Sequence, residues 1–187
     1  MGLFEPDVPD GFQYRAALIA PHEERELAAA MAEVEFDTFE MRGVVARRRV
    51  KFYGAGYDDR PALPMPEFLN SLRERVAEWA GVASDAFAMA LINEYTPGAT
   101  IGWHRDAPQY GIIAGVSLRS TCRMKLRPYV PPKEAARRSS PRTTTHEITL
   151  EPRSAYLIGG VARSDFEHSI PATEALRYSV TFRTLRR

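Results

Sequence analysis

The chain has 187 residues, 44% hydrophobic and 26% charged, a composition that excludes a disordered, collagen-like or coiled-coil protein and fits one globular domain. Its longest apolar runs, Ala86 to Ile92 and Ile112 to Gly115, fall far short of the roughly 20 residues that cross a bilayer, so no membrane span is expected. The net charge of +1 hides an asymmetry: residues 1–40 carry ten acidic side chains and two arginines, residues 41–60 six basic and two acidic, and residues 119–142 eight basic against Glu134 alone.

The N-terminus lacks the basic start and apolar stretch of a secretory signal. Cys122 is the single cysteine and has no partner for an internal disulfide. Both features lead to the expectation of a cytoplasmic, monomeric protein. The bias toward arginine, 22 of 25 basic residues, suits bidentate anion binding and equally suits a coding bias.

In chain order, Pro21 to Val34 opens with proline and glutamates and then spaces Leu27, Met31 and Val34 as an amphipathic helix. Val44 to Tyr53 reads as a basic strand, followed by a loop punctuated by Gly54, Gly56, Pro61, Pro64 and Pro66. Glu67 to Ala80 places Phe68, Leu69, Leu72, Val76 and Trp79 on one helical face and stops at Gly81, a residue suited to a left-handed C′ position. From residue 86 the period shortens to that of strands: Phe87–Tyr95, Ile112–Leu118, Thr121–Arg127, Glu147–Leu150, Ala155–Ile158 and Leu176–Thr184, with Pro131–Arg142 as a mobile loop. The expected architecture is α+β and mainly β, an antiparallel sandwich or barrel buttressed by two N-terminal helices.

Chemistry concentrates in the β half. His104-Arg105-Asp106 puts an imidazole and a carboxylate two residues apart, on one side of an extended segment. With His168 they would make two histidines and one carboxylate, the facial set that leaves three positions open on a non-heme Fe(II). His168 also reads as an ordinary hydrogen-bonded histidine at a strand end. In the last strand Arg177, Ser179, Thr181 and Arg183 share a face, so two arginines point together, either into a cavity as a dicarboxylate receptor or outward on an exposed edge. In Phe87–Tyr95, Asn93 and Tyr95 end an otherwise apolar row, as at the rim of a pocket.

The series Asn93-Glu-Tyr95, Gly102-Trp103-His104-Arg105-Asp106, His168-Ser-Ile-Pro171 and Arg177-Tyr-Ser-Val-Thr-Phe-Arg183 resembles the AlkB family of Fe(II)- and 2-oxoglutarate-dependent dioxygenases over about residues 87–184. The resemblance implies a double-stranded β-helix, or jelly roll, as one domain over 1–187, with residues 86–187 as catalytic core and 1–85 as helices and a nucleotide-recognition lid. It implies that His104, Asp106 and His168 hold Fe(II), that Asn93 and Tyr95 hold 2-oxoglutarate, and that Arg177 pairs with its C5 carboxylate. Arg183 matches the family's second arginine, near the iron end. The implied reaction uses O2 and yields succinate and CO2, and where the oxidised carbon is an N-methyl group it releases formaldehyde and restores the base.

Upstream, Arg49-Val-Lys-Phe-Tyr53-Gly54, with Tyr57 beyond, is similar to the family's nucleotide-recognition segment. Arg47, Arg48, Arg49 and Lys51 beside Phe52, Tyr53 and Tyr57 combine cations for phosphates with aromatic faces for a base, and a buried iron demands a single-stranded or flipped-out base. The substrate-contact candidates are therefore Arg49, Lys51, Tyr53, Tyr57 and Trp103, the last either walling the site or packing beneath it. Pro108 stands where several repair members carry an acidic base-reading residue. The same chemistry on tRNA or a protein side chain is the alternative that Pro108 raises. A non-catalytic, metal-containing jelly-roll RNA-binding module is the alternative of another class.

Overall fold

The computed structural model describes residues 8–41, 43–55, 62–131 and 144–186. The chain order is β1 (Phe12–Arg15), α1 (Pro21–Ala32), β2 (Asp37–Met41), β3 (Val44–Gly54), α2 (Asn70–Ala80), β4 (Met89–Tyr95), β5 (Ile101–His104), β6 (Tyr110–Leu118), β7 (Cys122–Pro128), β8 (His146–Leu150), β9 (Ala155–Ile158), α3 (Gly160–Ser164), β10 (Phe166–Ile170) and β11 (Arg177–Leu185). All strand pairs are antiparallel. They form a seven-stranded sheet, β1-β9-β6-β11-β4-β3-β2, and a four-stranded sheet, β5-β10-β7-β8.

Each face of the large sheet has its own apolar partner. Ala90, Ile92, Ala114, Val116, Tyr178, Val180 and Phe182 pack against Leu27 and Met31 of α1 and Leu72 and Val76 of α2. Tyr95, Ile113, Tyr156 and Ile158, on the opposite face, meet Met124, Leu126, Ile148 and Leu150 of the small sheet. The result is the expected mainly β, jelly-roll architecture with two helices buttressing its outer face. β11 lies between β6 and β4 and is buried from Arg177 to Arg183, which excludes the exposed-edge reading of its arginines.

The helices end as their residues dictate. Pro21 occupies the first turn of α1, and the Glu23 carboxylate accepts the Ala20 N–H at 2.7 Å. A 3-10 turn, Glu67–Leu69, leads into α2, and Gly81 closes it at φ 68° with its N–H on the Ala77 and Glu78 carbonyls. Four strands escape the periodicity: β1, β2, β5 and β10. They have four or five residues each, and β1, β2 and β5 lie at sheet edges. In β5 and β10 the positions that would carry an apolar signal are occupied by His104 and His168. Residues 132–143, nearly all of the expected loop after β7, and Tyr57 lie outside the described residues.

Candidate metal and co-substrate site

The antiparallel register of β5 and β10 pairs His104 directly with His168, so both rings leave the small sheet on the same side, with centroids 4.2 Å apart. Asp106, two residues past His104, brings its carboxylate to the same point. One donor atom from each of the three lies within 4.8 Å of the others. No other such group of histidine, cysteine or carboxylate side chains occurs among the described residues.

Neighbours set the orientation and protonation of the three. A carbonyl only accepts, so the 2.9 Å contact between His104 Nδ1 and Gly102 O makes Nδ1 the N–H and leaves the Nε2 lone pair for a ligand. Burial lowers the pKa of His104, against the opposing pull of Asp106. Burial and the neighbouring His104 push His168 down to about 3, so its 3.7 Å approach to Asp106 at neutral pH joins a neutral ring to a carboxylate. Burial disfavours the charge on Asp106, but the Arg183 guanidinium and the two histidines override it and hold the carboxyl well below the usual range. Two neutral imidazoles and one ionised carboxylate are the protonation states a divalent metal requires, so the donor set fits Fe(II).

The Arg183 fork donates to Asp106 Oδ1 from Nε at 3.1 Å and Nη2 at 2.8 Å, while Nη1 points at Met89 Sδ at 3.3 Å. It thereby engages one oxygen and leaves Oδ2 toward His168. Arg163, buried on α3, donates through Nη2 to the carbonyls of Asp106, Ala107 and Tyr110 at 3.2, 2.7 and 3.1 Å. It pins the turn that carries Asp106. Nothing in the local sequence marks Arg163, because its acceptors lie more than 50 residues earlier.

Arg177 is fully buried; its Nε donates to Ser117 Oγ at 3.0 Å and its guanidinium stands 5.0 Å from the Tyr95 ring centre. Its Nη1 and Nη2 are buried and meet no hydrogen-bond partner among the described residues. A buried guanidinium with two unsatisfied nitrogens costs several kcal/mol unless an anion completes it, on the order of the desolvation penalties of unpaired ions. A carboxylate of a diacid fits that demand bidentately. Asn93 accepts from Arg48 Nη1 at 2.8 Å and donates to Ser179 Oγ at 3.4 Å, on the same side of the sheet as Arg177.

The basic segment is divided by strand alternation. Arg48, Val50 and Phe52 face the cavity, where Val50 and Phe52 sit opposite Asn93 and Leu91. Arg49, Lys51 and Tyr53 turn to the helix side. Arg49 pairs with Glu94 at 2.7 Å, Lys51 with Asp37 at 3.5 Å, and Tyr53 packs on the helical core. The member of the run that enters the site is thus Arg48, buried and 4.5 Å over the Phe39 ring, a residue the list of substrate contacts omits and alternation on β3 would have found. Trp103 leaves β5 on the face opposite His104, with the Arg127 guanidinium 4.0 Å above its ring and Arg127 held by Glu167 at 2.6 Å. The structure therefore gathers His104, Asp106, His168, Asn93, Tyr95, Arg177 and Arg183 around one cavity and leaves Arg49, Lys51, Tyr53 and Trp103 outside it.

Comparison with known proteins agrees with this geometry. The model of the 2OG-Fe(II) oxygenase superfamily matches residues 21–183, and the chain belongs to that superfamily. It is thus an Fe(II)- and 2-oxoglutarate-dependent dioxygenase that uses O2, and the non-catalytic alternative falls. Its fold is AlkB-like: it is similar to that of OsALKBH1, with a TM-score of 0.67 at 12% identity over 95% of this chain and 99% of that one. It is also similar to a Pseudomonas putida prolyl-4-hydroxylase, with a TM-score of 0.63, 14% identity and coverage of 95% and 93%. An oxidoreductase of the 2OG-Fe(II) oxygenase family from Burkholderia pseudomallei gives 0.65, 16%, and 95% and 86%. At these identities the likeness concerns the fold. No helix among the described residues is long and apolar enough to cross a membrane.

Proposed function

We propose that this dioxygenase removes methyl or other small alkyl groups from nucleobases of DNA or RNA by oxidative dealkylation, on a single strand or on a base flipped out of a duplex. In this reading His104, Asp106 and His168 hold the iron, Asn93, Tyr95 and Arg177 hold 2-oxoglutarate, and Arg183 keeps Asp106 ionised. The bound iron, with 2-oxoglutarate and O2, supplies oxidation of a C–H bond and leaves succinate and CO2. Hydroxylation at an N-methyl carbon gives a hemiaminal, which releases formaldehyde and returns the unmodified base.

The observation that carries the nucleobase reading is the wall formed by β2 and β3 beside the triad. Phe39 and Phe52, with ring centroids 6.5 Å apart, pack on the cluster of Val50, Met89, Leu91 and Tyr110, and Ala107, next to Asp106, packs on the same cluster. Arg48 lies over Phe39. Aromatic rings with a cation beside them suit a planar base and the backbone that delivers it. The AlkB homologue among the similar folds agrees with this choice.

The test is aerobic incubation with Fe(II), ascorbate, 2-oxoglutarate and single-stranded DNA or RNA carrying 1-methyladenine or 3-methylcytosine, with mass spectrometry of the oligonucleotide and of succinate. Methyl loss with the intact enzyme and none with His104→Ala is the expected result. Succinate without methyl loss rejects these lesions and favours the second reading, the same chemistry on tRNA or a protein side chain. Pro108 favours that reading, because it places an exposed ring with no hydrogen-bonding side chain two positions beyond Asp106.

A further inference from the structure

Between Arg177 and Arg183 the cavity wall is completed by a residue that belongs to none of the motifs. The cavity-facing side of β6 carries Ile113, Gly115 and Ser117, opposite Arg183, Thr181 and Ser179 of β11. On its other flank β6 pairs with β9, and Gly115 stands across from Tyr156. The Tyr156 ring lies across Gly115 on the cavity side. A Cβ built on Gly115 would stand 2.5 Å from the phenol oxygen and nearer still to Cζ and Cε1. Only a glycine hydrogen leaves room for this ring. Phe12 of β1 stacks behind it, with centroids 6.4 Å apart and planes 2° from parallel.

That placement sets the phenol hydroxyl one cavity-facing position from Ser117, the residue that anchors Arg177, and one from Ile113, opposite Arg183. The side chain is buried, and its hydroxyl lies over Gly115 on this face of β6. Arg177 Nη1 and Nη2, from the strand paired with β6, are buried and meet no hydrogen-bond partner among the described residues. Burial pushes Tyr156 up to about 12, so near neutral pH it is an O–H donor. The phenol O–H and the two unpaired Arg177 nitrogens thus offer three donors from one side of the sheet, close enough that the Arg177 charge is felt at Tyr156, and a carboxylate, with about four lone-pair directions, can accept all of them.

We propose that Tyr156 is a co-substrate-specificity residue: its hydroxyl donates to the distal carboxylate seated on Arg177, and its ring, laid flat on Gly115, limits the length of the 2-oxo diacid the cavity accepts. Gly115 is the partner that makes this possible. A diacid one methylene longer than 2-oxoglutarate carries its distal carboxylate past the phenol or buckles against the ring. A 2-oxo monoacid leaves Arg177 and Tyr156 unpaired. The inference concerns the co-substrate end of the cavity and does not depend on which substrate is oxidised.

The test is calorimetric titration of 2-oxoglutarate and of 2-oxoadipate into the Mn(II)-loaded full chain, where no turnover occurs, for the parent, Tyr156→Phe, Tyr156→Leu and Gly115→Ala. Mn(II) affinity and the melting of each ligand-free protein are measured alongside. Tyr156→Phe is expected to weaken 2-oxoglutarate about tenfold, the effect of one hydrogen bond to a charged group, with Mn(II) affinity unchanged. In turnover it raises KM for 2-oxoglutarate far more than it lowers kcat. Tyr156→Leu is expected to erase the preference for 2-oxoglutarate over 2-oxoadipate, and Gly115→Ala to lose both affinity and preference by displacing the ring. An affinity within twofold of the parent in Tyr156→Phe overturns the hydrogen bond. An unchanged preference in Tyr156→Leu and Gly115→Ala overturns the length rule, as does a loss of 2-oxoglutarate binding that only tracks a loss of Mn(II).

Discussion

Arg177 and Arg183 stand on the same face of the same strand, both buried, in opposite electrostatic circumstances. Arg183 is answered from within the protein, because Asp106 Oδ1 accepts two of its nitrogens. Arg177 is answered by the Ser117 hydroxyl and the Tyr95 ring, and its two terminal nitrogens meet no hydrogen-bond partner among the described residues. One end of the cavity therefore stores a finished ion pair that fixes a proposed metal ligand. The other stores an unbalanced charge that, in the proposed reading, an anionic co-substrate completes. The same residue type thus serves as a structural counter-ion in one place and as the proposed receptor in the other, depending on whether a carboxylate of the chain reaches it.

The largest expected effect comes from removing the triad. His104→Ala or Asp106→Ala should abolish succinate formation while the far-ultraviolet circular dichroism spectrum stays that of the parent; full activity in either variant would sink the metal assignment. The two arginines should then separate. Arg177→Met is expected to raise KM for 2-oxoglutarate about 100-fold, the effect of two charge-assisted hydrogen bonds, with the ligand-free protein as stable as the parent or more so. Arg183→Met is expected to destabilise the ligand-free protein by about 3–5 kcal/mol, because it leaves the buried Asp106 charge unpaired. Urea titrations of both variants decide the contrast, and equal losses would erase it.

A pH series sharpens the same comparison at the metal end. His168 binds its proton near 3 when folded and near its ordinary 6.5 when unfolded. Between those values the unfolded chain holds a proton that the folded chain does not. Stability contributed by the neutral ring is therefore full above 6.5 and falls as pH drops toward 3. His104 is shifted in the same direction and adds to the slope. Thermal melts of the ligand-free protein should show the loss, and excess Mn(II) should raise the curve while the ligand histidines of the folded protein are neutral and lose that effect as they protonate. The smallest effect belongs to a control remote from the cavity. Gly81→Ala places a side chain at φ 68° with open space around it and should cost about 1 kcal/mol in a urea titration, with turnover unchanged.

Much of the fold was legible because its longer elements keep a clean period. β11 alternates apolar residues toward the helices with polar ones toward the cavity, and α2 ends at the glycine its last turn requires. The candidate ligands and co-substrate residues could be singled out in the sequence as well, since His104, Asp106 and Asn93-Glu-Tyr95 are local patterns. The strands β5 and β10 were not, because their polar residues are there for the cavity and leave no amphipathic trace. Which side of β3 faces the small sheet was not legible for a related reason. Arg47, Arg48 and Arg49 are consecutive, and a strand sends neighbours to opposite faces, so the basic run could not act as one patch.

By itself, the sequence determined which strands alternate, where the helices stop, and which residue types are available to hold a metal and a diacid, since these depend on near neighbours in the chain. Only the tertiary structure decided that Arg48 and not Arg49 faces the cavity, that Arg183 meets Asp106 while Arg177 meets no carboxylate, and that Tyr156 rests on Gly115. Each of those outcomes depends on the register between strands distant in sequence, where a slip of one residue would turn every side chain to the other face.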